Sequence, residues 1–183
     1  CDWSSDVCSS DLIADPTLNS MKTDRVYELE PGLVAGTQGS RAGYALNRAL
    51  LRFDIAGRIP AEAVILSAEL VVQVERTPSA PPPMDFGLHR VTESWKPSAA
   101  TWMHREADAT WEVPGGSYVQ NASSIQSLNE LETRVFPSTA KVIADVQLWL
   151  NEPASNFGWA IVAVARSEEH TSELQSQFRI SYA

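Results

Sequence analysis

Alternation of apolar and polar positions recurs along the chain, and it predicts strands. Ala49, Leu51, Phe53 and Ile55 alternate with Leu50, Arg52 and Asp54. Leu66, Ala68, Leu70, Val72 and Val74 alternate with Ser67, Glu69, Val71, Gln73 and Glu75. Phe157, Trp159, Ile161 and Ala163 alternate with smaller residues. Period two sends successive side chains to opposite faces, so each run is a strand with one face on a core. Shorter runs at 26–29, 33–36, 86–91 and 110–113 add further strands. Pro31-Gly32, Gly57 with Pro60, the stretch Thr77-Pro78 to Pro83, and Pro114-Gly115-Gly116 supply turns between them, with Pro81-Pro82-Pro83 a stiff connector.

One segment changes period. Val142, Val146, Trp149 and Leu150 recur at i, i+4, i+7 and i+8, a helical stripe. Ser138 or Thr139 can cap its start, and Asn151-Glu152-Pro153 can stop it, which places one short helix at 139–151. The polar stretch 121–133 has no clear period and is expected to be a loop. Many short strands with Gly/Pro punctuation predict an all-β jelly roll or β-sandwich, with the helix lying across an open end.

The two ends carry a different signal. Residues 2–12 and 166–176 back-translate to one inverted DNA repeat read in two frames, and that DNA resembles a short-read sequencing adapter; the match continues through 177–183. The expected organisation is an adapter-derived tail at 1–12, one domain at 13–165 and a second tail at 166–183, as in a metagenomic fragment. The tails are expected not to pack, and they are set aside from fold reasoning.

That division changes the composition. The 183-residue chain has net charge −9. The tails hold six acids (Asp2, Asp6, Asp11, Glu168, Glu169, Glu173) and two bases (Arg166, Arg179), so residues 13–165 carry −5. An acidic chain is a poor match for nucleic acid, which needs a basic face. No apolar run reaches the length of a membrane-spanning helix. Both cysteines, Cys1 and Cys8, fall in the first tail, so the domain has no disulfide, no thiolate nucleophile and no Cys-based zinc site. P-loop, dinucleotide-fold, nucleophile-elbow and HExxH motifs are absent.

An ordered set of short motifs carries a family resemblance. The set runs Ala49-Leu50-Leu51-Arg52-Phe53-Asp54-Ile55 with Ile59-Pro60-Ala61, then Val64-Ile65-Leu66-Ser67-Ala68-Glu69-Leu70, then Leu88-His89-Arg90-Val91-Thr92-Glu93-Ser94-Trp95, then Ala100-Thr101-Trp102. It closes with 142–150 and Asn156-Phe157-Gly158-Trp159. In order and spacing this resembles the DNRLRE-domain family over 46–164. The resemblance implies a jelly-roll module, secreted or at the surface of a bacterial or archaeal cell, and one module of a larger protein. One related group is classed as carbohydrate-binding, with alginate as a ligand. The stretch 121–133 departs from the family pattern, and so does the strand before Arg25.

The implied function is a noncatalytic extracellular module that binds polysaccharide. Sugar binding stacks flat rings on apolar pyranose faces, and an acidic glycan adds a need for cations. Trp95, Trp102 and Trp111 fall beside expected loops near Lys96, His104 and Arg105, so Trp95, Trp102, His104, Arg105 and Trp111 are the candidate ligand contacts. The competing reading has these tryptophans covering the edge of the core, and periodicity already places Trp149 and Trp159 inside. The alternative function is a structural spacer or adhesion domain with no glycan ligand; a smooth acidic surface with all five tryptophans buried would favour it. A lyase or hydrolase ranks third: Glu93, Glu106, Asp108 and Glu112 cluster in sequence, but His104 has no partner at catalytic spacing. No cofactor is expected. Asp54 and Asp145 are turn or cap residues, with a structural Ca²⁺ as the other option.

Overall fold

A computed structural model describes residues 12–27, 32–38, 43–75, 84–128 and 130–164, together with the backbone of the strand at 180–181. The fold is mostly β, with 35% strand and 11% helix, and forms a β-sandwich with one short helix near the C-terminus. The centre of the larger sheet is β4 (Leu46–Phe53). Along one edge of β4 run β1 (Leu12–Ala14) and β2 (Thr17–Asn19), separated at Asp15-Pro16. Along the other run β3 (Gly36–Thr37) and β11 (Trp159–Ala163). The sheet continues from β11 to β6 (Asp85–Arg90) and ends at β9 (Ser124–Ser127), all antiparallel. Gly43 (φ 64°) and Tyr44 (φ 58°), both left-handed, turn the chain into β4.

The second layer is a smaller antiparallel sheet in the order β10 (Thr133–Phe136), β5 (Leu70–Val74), β12 (Ile180–Ser181), with α1 (Ala140–Asn151) beside it. Alternation explains the core between the layers. Ala49, Leu51 and Phe53 of β4, Phe86 and Leu88 of β6, and Trp159 and Ile161 of β11 pack against Leu70, Val72, Val74, Phe136 and the helix. The helical stripe is buried as its period requires: Val142, Val146, Trp149 and Leu150 all face this core, where Trp149 meets Trp159 edge-on at 4.5 Å between ring centroids. The helix begins at Ala140 because Thr139 is its cap: Thr139 Oγ1 accepts from Val142 N–H at 3.1 Å.

The other face of the large sheet is covered too. Leu18, Leu50 and Ala160 meet Trp95, Ala100, Trp102 and Trp111, which arrive on a long excursion between β6 and β9. That excursion carries a short hairpin, β7 (His104–Glu106) with β8 (Ala109–Thr110).

Several sequence expectations need correction. The run from Leu66 is a strand only from Leu70, because its phase slips. Ile65 and Ala68 lean on the core while Leu66 and Ser67 between them face out, Leu66 being 85% exposed. The expected loop at 121–133 contains β9 and the first residue of β10. These strands escaped the period search because they are polar. Ile125 faces solvent, and the ladder to β6 with Gln126 Nε2 donating to Val135 O (2.8 Å) holds β9 in place of apolar alternation. The strand expected at 110–113 stops at Thr110, and that at 33–36 is reduced to Gly36–Thr37. Residues 26–27 are not strand, while 28–29, Pro81-Pro82-Pro83, Cys1 and Cys8 lie outside the described residues. The expectation that neither tail packs fails at β12, where Ile180 pairs with Val74 and Ser181 with Gln73. An unpaired strand edge presents backbone donors and acceptors to any extended segment within reach, whatever its sequence.

Candidate functional site

The five candidate contacts all come from the excursion, and the structure separates them into two sets. The three tryptophans are inside: Trp95 is 2% exposed, Trp102 9% and Trp111 4%. Two of their indole N–H groups are directed to backbone carbonyls, Trp95 to Phe157 O (2.8 Å) and Trp111 to Thr101 O (2.9 Å). Their rings fill the space over Leu50 and Ala160 and form no exposed row. His104 and Arg105, adjacent on β7, sit at the rim. His104 Nδ1 lies 3.6 Å from Asp24 Oδ1. Arg105 is surrounded: Nη1 donates to Ser94 O (3.2 Å), Ser94 Oγ (2.9 Å) and Glu106 Oε1 (3.3 Å), and Nε lies 3.5 Å from Glu93 Oε1.

The same contacts engage two carboxylates of the sequence cluster, Glu93 and Glu106. Glu93 and Glu106 share Arg105, Glu106 also faces Lys96 Nζ at 3.5 Å, and Glu93 Oε2 accepts from Glu112 N–H at 2.9 Å. Each has a structural partner that ties the excursion together. Asp54 accepts from Gly57 N–H at 3.0 Å, an ordinary turn. Asp145 is a different case. It is buried within α1 and gathers two strands and the bend before β9: Arg90 Nε of β6 at 2.9 Å, Trp159 Nε1 of β11 at 2.9 Å and Ser123 Oγ of the bend at 2.5 Å. Among the described residues no group of three His, Cys, Asp or Glu side chains is placed to hold a metal ion.

Two residues that sequence reasoning missed organise this face. Arg48 and Arg52 are polar positions in the alternation of β4, which ordinarily signals solvent. Here the excursion folds over them. The Arg48 guanidinium lies 4.8 Å from the Trp102 ring centroid and 5.2 Å from that of Tyr118, and Nη1 donates to Gly115 O at 2.7 Å. Arg52 lies 4.7 Å from the Trp95 ring centroid and donates to Trp95 O at 3.3 Å. Burial lowers both pKa values from the ordinary arginine value, with Tyr118 opposing the shift at Arg48. The signal available in the sequence was the arginine spacing itself, i and i+4 on one strand face, with tryptophans elsewhere to receive them.

His89 shares that face. Its Nδ1 lies 2.9 Å from Val119 O, and its ring packs against Tyr118 at 4.9 Å between centroids. Gly87 makes room for it, since a Cβ there would lie 2.3 Å from His89 Nε2. Desolvation pushes the imidazole pKa down; the Val119 carbonyl opposes this, while Arg48 and Lys141 add to it. Among the described residues no helix is long and apolar enough to cross a membrane. No family model matches the chain, and no curated protein matches it.

Proposed function

We propose that this domain is a noncatalytic structural module, a spacer or adhesion unit of a larger surface protein. One observation carries the reading: all five tryptophans between residues 13 and 165 are buried, so no indole is offered to a sugar ring. The arrangement of charge agrees with it, because Arg105, Glu93, Glu106 and Lys96 are directed at one another. The resemblance to the DNRLRE-domain family supports placement at a cell surface. Affinity gel electrophoresis against a polysaccharide panel that includes alginate tests the reading. Unretarded migration of the folded protein through every glycan is the expected result, and retardation by any glycan overturns it.

A second reading, binding of an acidic polysaccharide, is favoured by one observation. Arg48 and Arg52 are partly exposed and have no carboxylate partner among the described residues. In that case alginate retards the parent protein, and Arg52→Ala or Arg105→Ala removes the retardation.

A further inference from the structure

Where the excursion leaves the outer face of the large sheet, three basic side chains gather without a carboxylate. They are Arg48 of β4, His89 of β6 and Lys141 in the first turn of α1. Elsewhere Arg90, Lys96, Arg105 and Arg134 each lie within ion-pair distance of an acid. Arg48 instead donates to Gly115 O at 2.7 Å, and Lys141 Nζ to Ala122 O at 3.3 Å. Tyr118 joins the group on one side, its ring meeting both the Arg48 guanidinium and the His89 imidazole. Ala122 joins it on the other, for its methyl borders the space above Gly87 that His89 Nε2 occupies. His89 is 8% exposed, and the Val119 carbonyl fixes its proton on Nδ1. Among the described residues Nε2 then has no hydrogen-bond partner. A ring nitrogen so deeply placed is ordinarily satisfied.

Two further features point to an anion. A glycine inside a strand weakens it and recurs where a ligand approaches the backbone, and Gly87 lies directly beneath Nε2. The first turn of α1 holds no acid, so the positive end of the helix adds to Lys141 rather than being neutralised. The nearest acid on the same face of β6 is Asp85, about 13 Å back along the strand. Arg90 and Asp145 are turned to the other face, where they pair. We propose that Arg48, His89 and Lys141 form a binding site for a tetrahedral oxyanion, a sulfate or phosphate group, with His89 taking up a proton as the anion enters. Donors arriving from three elements suit three separate oxygens, where a carboxylate offers two in one plane. Desolvation, with Arg48 and Lys141 adding to it, holds the free ring neutral. A bound anion reverses the sign of that field, so the ring charges and its Nε2–H donates to the anion. The site goes beyond the spacer reading and does not depend on whether the domain binds glycan.

Proton NMR of the full chain tests it, because only three histidines are present and His89→Gln identifies the His89 resonance. Sulfate is the probe, since its charge is constant over the titration, and chloride holds the ionic strength. Saturating sulfate should raise the His89 pKa by about one unit and move the other two histidines far less. The same unit expressed as affinity makes sulfate bind about tenfold tighter well below the His89 pKa than well above it. Lys141→Glu, at an exposed position, sets a carboxylate in the site and should remove the response with the urea midpoint close to the parent's. Lys141→Arg should keep the response. Methyl sulfate in place of sulfate separates the sources: a shift at least as large assigns the site to an ester, a smaller one to the free anion, and both support the site. An unchanged His89 pKa, an equal change in all three histidines, or a full response in Lys141→Glu would overturn the proposal.

Discussion

Asp145→Ala should be among the most damaging single substitutions in this protein. Asp145 is 7% exposed, and its carboxylate receives three donors, from β6, β11 and the bend before β9. Alanine leaves the Trp159 N–H buried without an acceptor, at about 1–2 kcal/mol. The Arg90 side chain is 30% exposed and can turn partly to water, so its loss is discounted to about 1–2 kcal/mol. The Ser123 hydroxyl rotates to another partner at roughly 0.5 kcal/mol. The total is about 2.5–4.5 kcal/mol, a fall in Tm of roughly 5–18 °C for a domain of this size. Urea unfolding followed by tryptophan fluorescence measures it directly, because Trp159 reports on the site. Asp145→Asn keeps one acceptor oxygen for Trp159 and Ser123 but sets an amide NH2 against Arg90, and should lose about half as much. A cycle with Arg90→Met should show coupling of about 1–2 kcal/mol. If Asp145→Ala unfolds within about 0.5 kcal/mol of the parent, the carboxylate is not the clasp described here.

Three further substitutions read other parts of the structure. Gly115→Ala should destabilise by about 2–4 kcal/mol in urea unfolding, because Gly115 has φ 87° and a Cβ there would lie 2.5 Å from Arg48 Nη1 and 2.7 Å from Trp102; a neutral result would mean that the excursion does not seat on Arg48. Thr139→Ala removes both the α1 cap and the hydroxyl donated to Ser123 O at 2.5 Å, and should lower stability by about 1–2 kcal/mol. His89 has a folded pKa below its unfolded value near 6.5, so the unfolded state binds the proton first. Its contribution is complete above about pH 6.5 and is lost as pH falls from there toward the folded pKa. Unfolding free energies at pH 7 and pH 5 should therefore drop more in the parent than in His89→Gln; equal drops would assign the slope to other groups.

What could be read from sequence divides along the range of the interactions involved. The inner faces of β4 and β11 and the buried stripe of α1 were legible because each element announces its own period, and the core they share needs no knowledge of what lies opposite. β9 and β10 were not legible. Ser124, Gln126 and Thr133 are held by ladder bonds and side-chain contacts to strands distant in sequence, so their polarity resembles a loop. The slip at Leu66–Ser67 was hidden for a related reason. Alternation of residue types continues through it, but the anchors of Ile65 at Gln147 and of Ala68 at Ser138 come from 82 and 70 residues away and fix a different phase.

The outer face of β4 shows why the tryptophans were hard to place. A strand reading assigns Arg48 and Arg52 to water, and a loop reading assigns Trp95 and Trp102 to a surface; each follows from local pattern alone. Folding the excursion onto the sheet resolves both at once. A guanidinium stacked on an indole buries its flat face while its edge still reaches a carbonyl, so the arginines become the floor on which the tryptophans rest. Leu50 between them is wholly buried, so the cover closes over its position, while the two arginines keep part of their surface in solvent. The aromatic content that resembles a sugar platform in sequence is thereby used to close the second core, and the outward surface of the excursion is left to the paired charges of Arg105, Glu93, Glu106 and Lys96.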